Sequence, residues 1–123
     1  MTSASTKLLK LFAYDFESDI SLEEMLQRLQ ASTSWRWRMR ENDRWGDYLS
    51  AAPHPREMGD YAPARESMVK VIERAKGQYA FNIRYESRLP DAEEDFERLH
   101  REISERVLPE LHAGNIQRTE DYE

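Results

Sequence analysis

Residues Trp35-Arg36-Trp37-Arg38-Met39-Arg40 alternate apolar and cationic without a slip. In a β-strand successive side chains point to opposite faces, so this run puts Trp35, Trp37 and Met39 on one side and Arg36, Arg38 and Arg40 on the other. The stretch predicts a half-buried strand with a cationic outer row, extending to about Glu41.

The period changes along the chain in a way that places the other elements. Residues 7 to 17 put Leu8, Phe12, Tyr14 and Phe16 on one face and Leu9, Leu11 and Ala13 on the other. Both faces are apolar, which predicts an interior strand. From Asp19 to Ala31 the spacing becomes helical, with Leu22, Met25, Leu26 and Leu29 at i, i+3, i+4 and i+7. Ser21-x-x-Glu24 has the form of a capping box, so the helix is expected to begin at Ser21. Asn42-Asp43-Arg44 reads as a turn, followed by a short returning strand over Trp45 to Ser50.

Ala51 to Glu66 contains Pro53, Pro55, Gly59 and Pro63 and is expected to be an irregular loop, the longest in the protein. Ser67 to Ala75 and Gln78 to Ser87 form a second hairpin over Lys76-Gly77, with Tyr79, Phe81, Ile83 and Tyr85 on its inner face. After Pro90, Phe96, Leu99, Ile103, Val107 and Leu111 recur at helical spacing. The acids Asp91, Glu93, Glu94 and Asp95 crowd the first turn, where the macrodipole favours anions. Pro109 removes an internal N–H, so a kink or an ending is expected near Leu108, and Gly114 is a candidate C-cap.

The order β-α-β-β-β-β-α predicts an α+β two-layer sandwich: a largely antiparallel sheet of about five strands with two helices on one face. The first βα unit is a candidate for one parallel pairing. Residues 1–123 form a single domain, with 1–6 and 115–123 expected to be flexible or loosely attached. An apolar content of 39%, with three Trp, six Tyr and four Phe, is enough for one packed core without staples.

Cysteine is absent, which excludes disulfides, thiolate metal sites and thiol catalysis. Lys10 and Asp15 interrupt the N-terminal apolar stretch, which is too short and too polar for a signal-peptide core or membrane span. A cytoplasmic protein is the expectation. No GxGxxG, GxxxxGK[ST], GxSxG or HExxH pattern occurs. His100 follows Glu97 at i+3, a metal-binding spacing, but the pair occurs once and His112 lies about 120° around the helix from His100. Neither a cofactor nor a metal is expected.

The net charge of -6 is unevenly placed. Residues 1 to 90 carry 13 acids and 14 bases, whereas residues 91 to 123 carry 11 acids and 4 bases. Such asymmetry bears on steering and partners rather than on fold. The pattern suggests a small bacterial protein-binding protein, an inhibitor or immunity protein rather than an enzyme, acting on a partner with a basic surface. Its expected contacts are Glu93, Glu94, Asp95 and Glu97 at the acidic end, with Trp45, His54 and Tyr61 as anchors in the hairpin and loop.

Two other readings remain. The row Arg36, Arg38, Arg40, extended by Arg44, could bind nucleic acid, because alternate strand residues stand roughly 6.6 to 6.8 Å apart and can reach successive phosphates. Its ordinary role would be cross-strand pairing with Glu86, Glu73 or Asp47. Alternatively, His54, Glu57, Asp60 and Tyr61 could line a pocket for a small-molecule enzyme or ligand carrier near the 51–66 loop.

Overall fold

The structure, a computed structural model, describes residues 7–44, 46–54, 57–58 and 63–119. Trp45 and Tyr61 lie outside the described residues, as does Asp60.

Strand β1 (Leu8–Glu17) leads into helix α1 (Leu22–Ser32), followed by β2 (Arg38–Asn42), β3 (Gly46–Ala51), β4 (Glu57–Met58), β5 (Pro63–Ala75) and β6 (Gln78–Ser87). Helix α2 (Ala92–Glu102) continues through a π-helical stretch, Ile103–Val107, into a short α3 (Leu108–Glu110), and β7 (Gly114–Thr119) closes the described chain. The strands form one sheet in the order β2-β3-β5-β6-β1-β7, with β4 beside β5. Every pairing is antiparallel, so the parallel pairing considered for the first βα unit does not occur. The α+β two-layer sandwich is as the element order predicts.

The core lies between the helices and one face of the sheet. Phe12, Tyr14 and Phe16 of β1, Val69 and Val71 of β5, and Tyr79, Phe81, Ile83 and Tyr85 of β6 are buried with Met25 and Leu29 of α1 and Phe96, Leu99 and Ile103 of α2. The registers Phe12↔Ile83 and Val69↔Ile83 place these residues side by side on one face. The Ser21 hydroxyl accepts from the Glu24 N–H at 3.2 Å, so α1 starts as its capping box predicts. Lys76-Gly77 forms a two-residue hairpin turn in which Gly77 has φ +78, a conformation costly for a side-chain-bearing residue. The Gly77 carbonyl accepts from the Ser18 N–H at 3.0 Å, tying the β1–α1 connection to the hairpin tip.

Several boundaries differ from the sequence expectation. The Trp/Arg strand begins at Arg38, not Trp35. Trp37 is buried, its indole N–H donates to Thr33 Oγ1 at 2.9 Å, and its carbonyl accepts from Gln30 Nε2 at 3.3 Å, holding this segment against the end of α1. Part of the loop expected over residues 51 to 66 is strand: β4 pairs with β5, which starts at Pro63 rather than Ser67.

In the C-terminal helical region, Pro109 cannot donate to the Glu105 carbonyl and crowds it. The ladder slips instead, with the Leu108 N–H bonding Ile103 O, five residues back. Leu111 ends the helix, and His112 (φ 53), rather than Gly114, takes the left-handed cap position; the Ala113 N–H returns to Leu108 O at 3.3 Å. Residues 115–119, expected as part of a loosely attached tail, belong to β7, which pairs with β1 as an edge strand.

The second face of the sheet carries no helix among the described residues. Leu9, Leu11 and Met68 are 42%, 38% and 43% exposed there. The apolar second side of β1 therefore reflects an uncovered surface rather than a second packed layer. Glu86 on this face pairs with Lys7 at 3.2 Å and Arg84 at 2.9 Å, and Arg84 also reaches Glu66 at 3.3 Å.

Candidate functional site

A buried polar centre sits where α2 crosses β5 and β6. Asp95 is buried because it shares the stripe of Ala92, Phe96 and Leu99, and its side chain is only 5% exposed. The Tyr85 hydroxyl donates to Asp95 Oδ2 at 2.6 Å and Arg65 Nη1 to the same oxygen at 3.3 Å. Arg98 Nη1 donates to Oδ1 at 3.3 Å, and His54 Nε2 stands 3.6 Å from Oδ1. Burial works to raise the Asp95 pKa, but the Tyr85 hydrogen bond and the charges of His54 and Arg65 outweigh it and hold the carboxyl below its ordinary value. The Tyr85 phenol is pushed above its ordinary value by burial and by its bond to the carboxylate.

His54 continues the chain of contacts to Ser67. Its backbone N–H donates to Ser67 Oγ at 2.9 Å, its Nδ1 lies 3.0 Å from the same oxygen, and the Ser67 N–H donates to His54 O at 3.0 Å. The succession Ser67, His54, Asp95 has the order of groups in a nucleophile relay. Ser67, however, is 3% exposed and its oxygen already accepts the His54 N–H. The cluster therefore closes on itself and fastens the segment after β3 to β5 and α2. The structure brings His54 and Asp95 together, turned inward; neither offers the partner-facing group expected of an anchor. Ser67 and Tyr85, which help complete the centre, carried no sequence signal beyond strand alternation, and Arg65 fell in the expected loop.

The acidic end is otherwise at the surface. Glu93, Glu94 and Glu97 are exposed on α2, lining a shallow depression of about 350 Å³ with Arg98 and Arg101 between them. Arg98 follows Glu94 and Arg101 follows Glu97 at i+4, so this face is of mixed sign. His100 is occupied: its Nε2 contacts the Tyr14 hydroxyl, and burial lowers its pKa despite Glu97. Burial likewise raises Tyr14. Among the described residues, no three metal-ligating side chains converge.

The arginine row forms the second candidate site. Arg36, Arg38 and Arg40 are exposed, and among the described residues none of their side chains is hydrogen-bonded or ion-paired. The carboxylates expected to pair with them are elsewhere. Glu86 is taken by Lys7 and Arg84, Glu73 accepts from the Tyr79 hydroxyl at 3.4 Å, and Asp47 stands opposite Glu41. The row borders a groove of about 580 Å³ whose walls include Trp35, Ser50 and Met68. It runs over the uncovered face where β3 leaves the sheet at Ala51. Arg44 is exposed at the β2–β3 turn, where its backbone N–H donates to Asn42 Oδ1 at 2.7 Å, and does not line this groove. No protein-family model matches the chain, and no curated protein matches its sequence.

Proposed function

We propose that the chain is a protein-binding protein of the inhibitor or immunity type, which occupies a partner rather than transforming a substrate. The observation that carries this reading is the groove bounded by Arg36, Arg38 and Arg40. Three cations with no carboxylate partner among the described residues keep their capacity for an outside one, and Arg is suited to bidentate carboxylate recognition. Trp35 and Met68 add apolar contact beside them, as aromatic and Met side chains do at interface centres. Leu9 and Leu11 are exposed on the same face, separated from Met68 by the Arg84–Glu86 pair of β6.

This reading takes the groove rather than the acidic end as the contact, and it is supported by the inward turn of Asp95 and by Arg98 and Arg101 standing between the remaining acids. An acidic partner segment fits the groove. A polyanion such as nucleic acid would meet the same arginines but, with a charge on every nucleotide, more repulsion from a chain of net charge -6 than a short acidic segment does.

The test is recovery of binding partners from the native host by the wild type and by the triple variant Arg36→Gln/Arg38→Gln/Arg40→Gln. The variant is expected to fold, since exposed charges contribute roughly 0 to 1 kcal/mol each, and to lose the protein partner. Equal retention of that partner by the variant refutes the groove as the contact. Recovery of nucleic acid in place of protein, lost steeply as salt rises, replaces this reading with the nucleic-acid one.

A further inference from the structure

The arginine row lies on a sheet edge. Strand β2 pairs with β3 on one side and with no strand on the other among the described residues. Alternate backbone N–H and C=O groups of an edge strand face outward and can receive another strand. Residues directly opposite one another in adjacent strands project to the same face, with Cβ atoms about 4.5 to 5.5 Å apart.

We infer that an extended acidic peptide adds to the β2 edge as a further strand, with Asp or Glu at every second position opposite Arg38 and Arg40 and turned onto the sheet face that carries the groove. This rests on the reading of the groove as a protein-binding site. The period of the strand dictates the pattern. Acids two residues apart share the face of Arg38 and Arg40 and match their spacing, roughly 6.6 to 6.8 Å. The residue between them points to the helix face, beside half-buried Met39, and is apolar. Backbone pairing supplies affinity and alternate side chains supply specificity, the usual division of labour in strand addition. Arg36 and Trp35 lie beyond the start of β2 and bound the end of the groove. The net -6 of the chain opposes any anion, an acidic peptide included, so backbone pairing and alternation have to add to the arginine contacts in choosing the ligand.

The test uses the full chain and fluorescein-labelled nonapeptides of alternating glutamate and valine, read by anisotropy. Comparison peptides have the same composition with the glutamates in one block, or the alternating order with every second backbone nitrogen methylated, in each of the two phases. The expected result is that the alternating peptide binds about tenfold or more tightly than the block isomer, a difference of the size two or three rim ion pairs can make. One methylation phase should abolish binding and the other be tolerated, because the charged side fixes which nitrogens face β2. Arg38→Gln/Arg40→Gln should weaken binding by a similar factor, whereas Arg44→Glu, an equal change of net charge outside the groove, should not. Amide exchange at Arg38–Asn42 should slow on saturation.

Equal binding of all peptides that still depends on Arg38 and Arg40 overturns strand addition and leaves the groove reading standing. No binding by any acidic peptide up to millimolar concentration, or binding indifferent to Arg38 and Arg40, overturns both. Tighter binding of an oligothymidylate than of any peptide overturns both in favour of nucleic acid.

Discussion

Replacing Asp95 with Ala should be among the most damaging single changes at a polar residue. The substitution removes the acceptor of the Tyr85 hydroxyl and of Arg65, and the contributions can be weighed one by one. Tyr85 is fully buried, so its O–H loses a 2.6 Å bond to an ionised group with little access to water; such a loss costs about 2 to 3 kcal/mol. Arg65 is about a quarter exposed and can recover part of its hydration, so about 1 kcal/mol is assigned to it. Arg98 is mostly exposed and adds little. The sum, about 3 to 4 kcal/mol, lies in the range seen when one partner of a buried pair is deleted.

Asp95→Asn keeps the shape and one acceptor for Tyr85 and should cost about half as much. The native pKa of Asp95 lies below its unfolded value, so its ionised form contributes stability that is fully present above the ordinary carboxylate range. That contribution is lost as pH falls through the depressed native pKa. Urea unfolding followed by circular dichroism at pH 7 and at stepwise lower pH would measure both effects. A cost for Asp95→Ala below about 1 kcal/mol at pH 7, or a gap between wild type and Asp95→Asn that does not narrow on acidification, would refute the reasoning.

Phe81→Ala should destabilise by about 3 to 5 kcal/mol in the same assay, because the ring is fully buried in the central strand; a loss under about 1 kcal/mol would contradict this packing. Ser21→Ala removes the acceptor for the Glu24 N–H and should cost about 1 kcal/mol, with Ser21→Asp restoring it. If a basic partner is steered by the acidic helix, Glu93→Gln/Glu94→Gln/Glu97→Gln should slow association more than it speeds dissociation, and the difference should shrink with salt. Equal association rates at low salt would leave this helix face a solvating surface.

Much of the architecture was legible because periodicity is local. The alternation through Tyr79, Phe81, Ile83 and Tyr85 and the helical spacing of Leu22, Met25 and Leu29 each state which side of an element is apolar, and burial follows. The Ser21 cap and the Lys76-Gly77 turn were likewise set by residues within a few positions of each other. The inward turn of Asp95 was also within reach: it shares the helical stripe of Ala92, Phe96 and Leu99, although its acidic neighbours make it look like one more surface charge.

What the sequence could not decide depends on residues distant in the chain. Strand order is one such property, because nothing local to β2 or β7 says that these two take the edges, or that 114–119 finds an unpaired side of β1. The meeting of His54 with Asp95 joins positions 41 apart through three strands and the start of a helix. The freedom of Arg36, Arg38 and Arg40 is of the same kind. Alternation alone placed them on one face, but whether a carboxylate would stand opposite was determined by cross-strand register, which turned Glu86 toward Lys7 and Arg84 and left the arginine row without a carboxylate partner among the described residues.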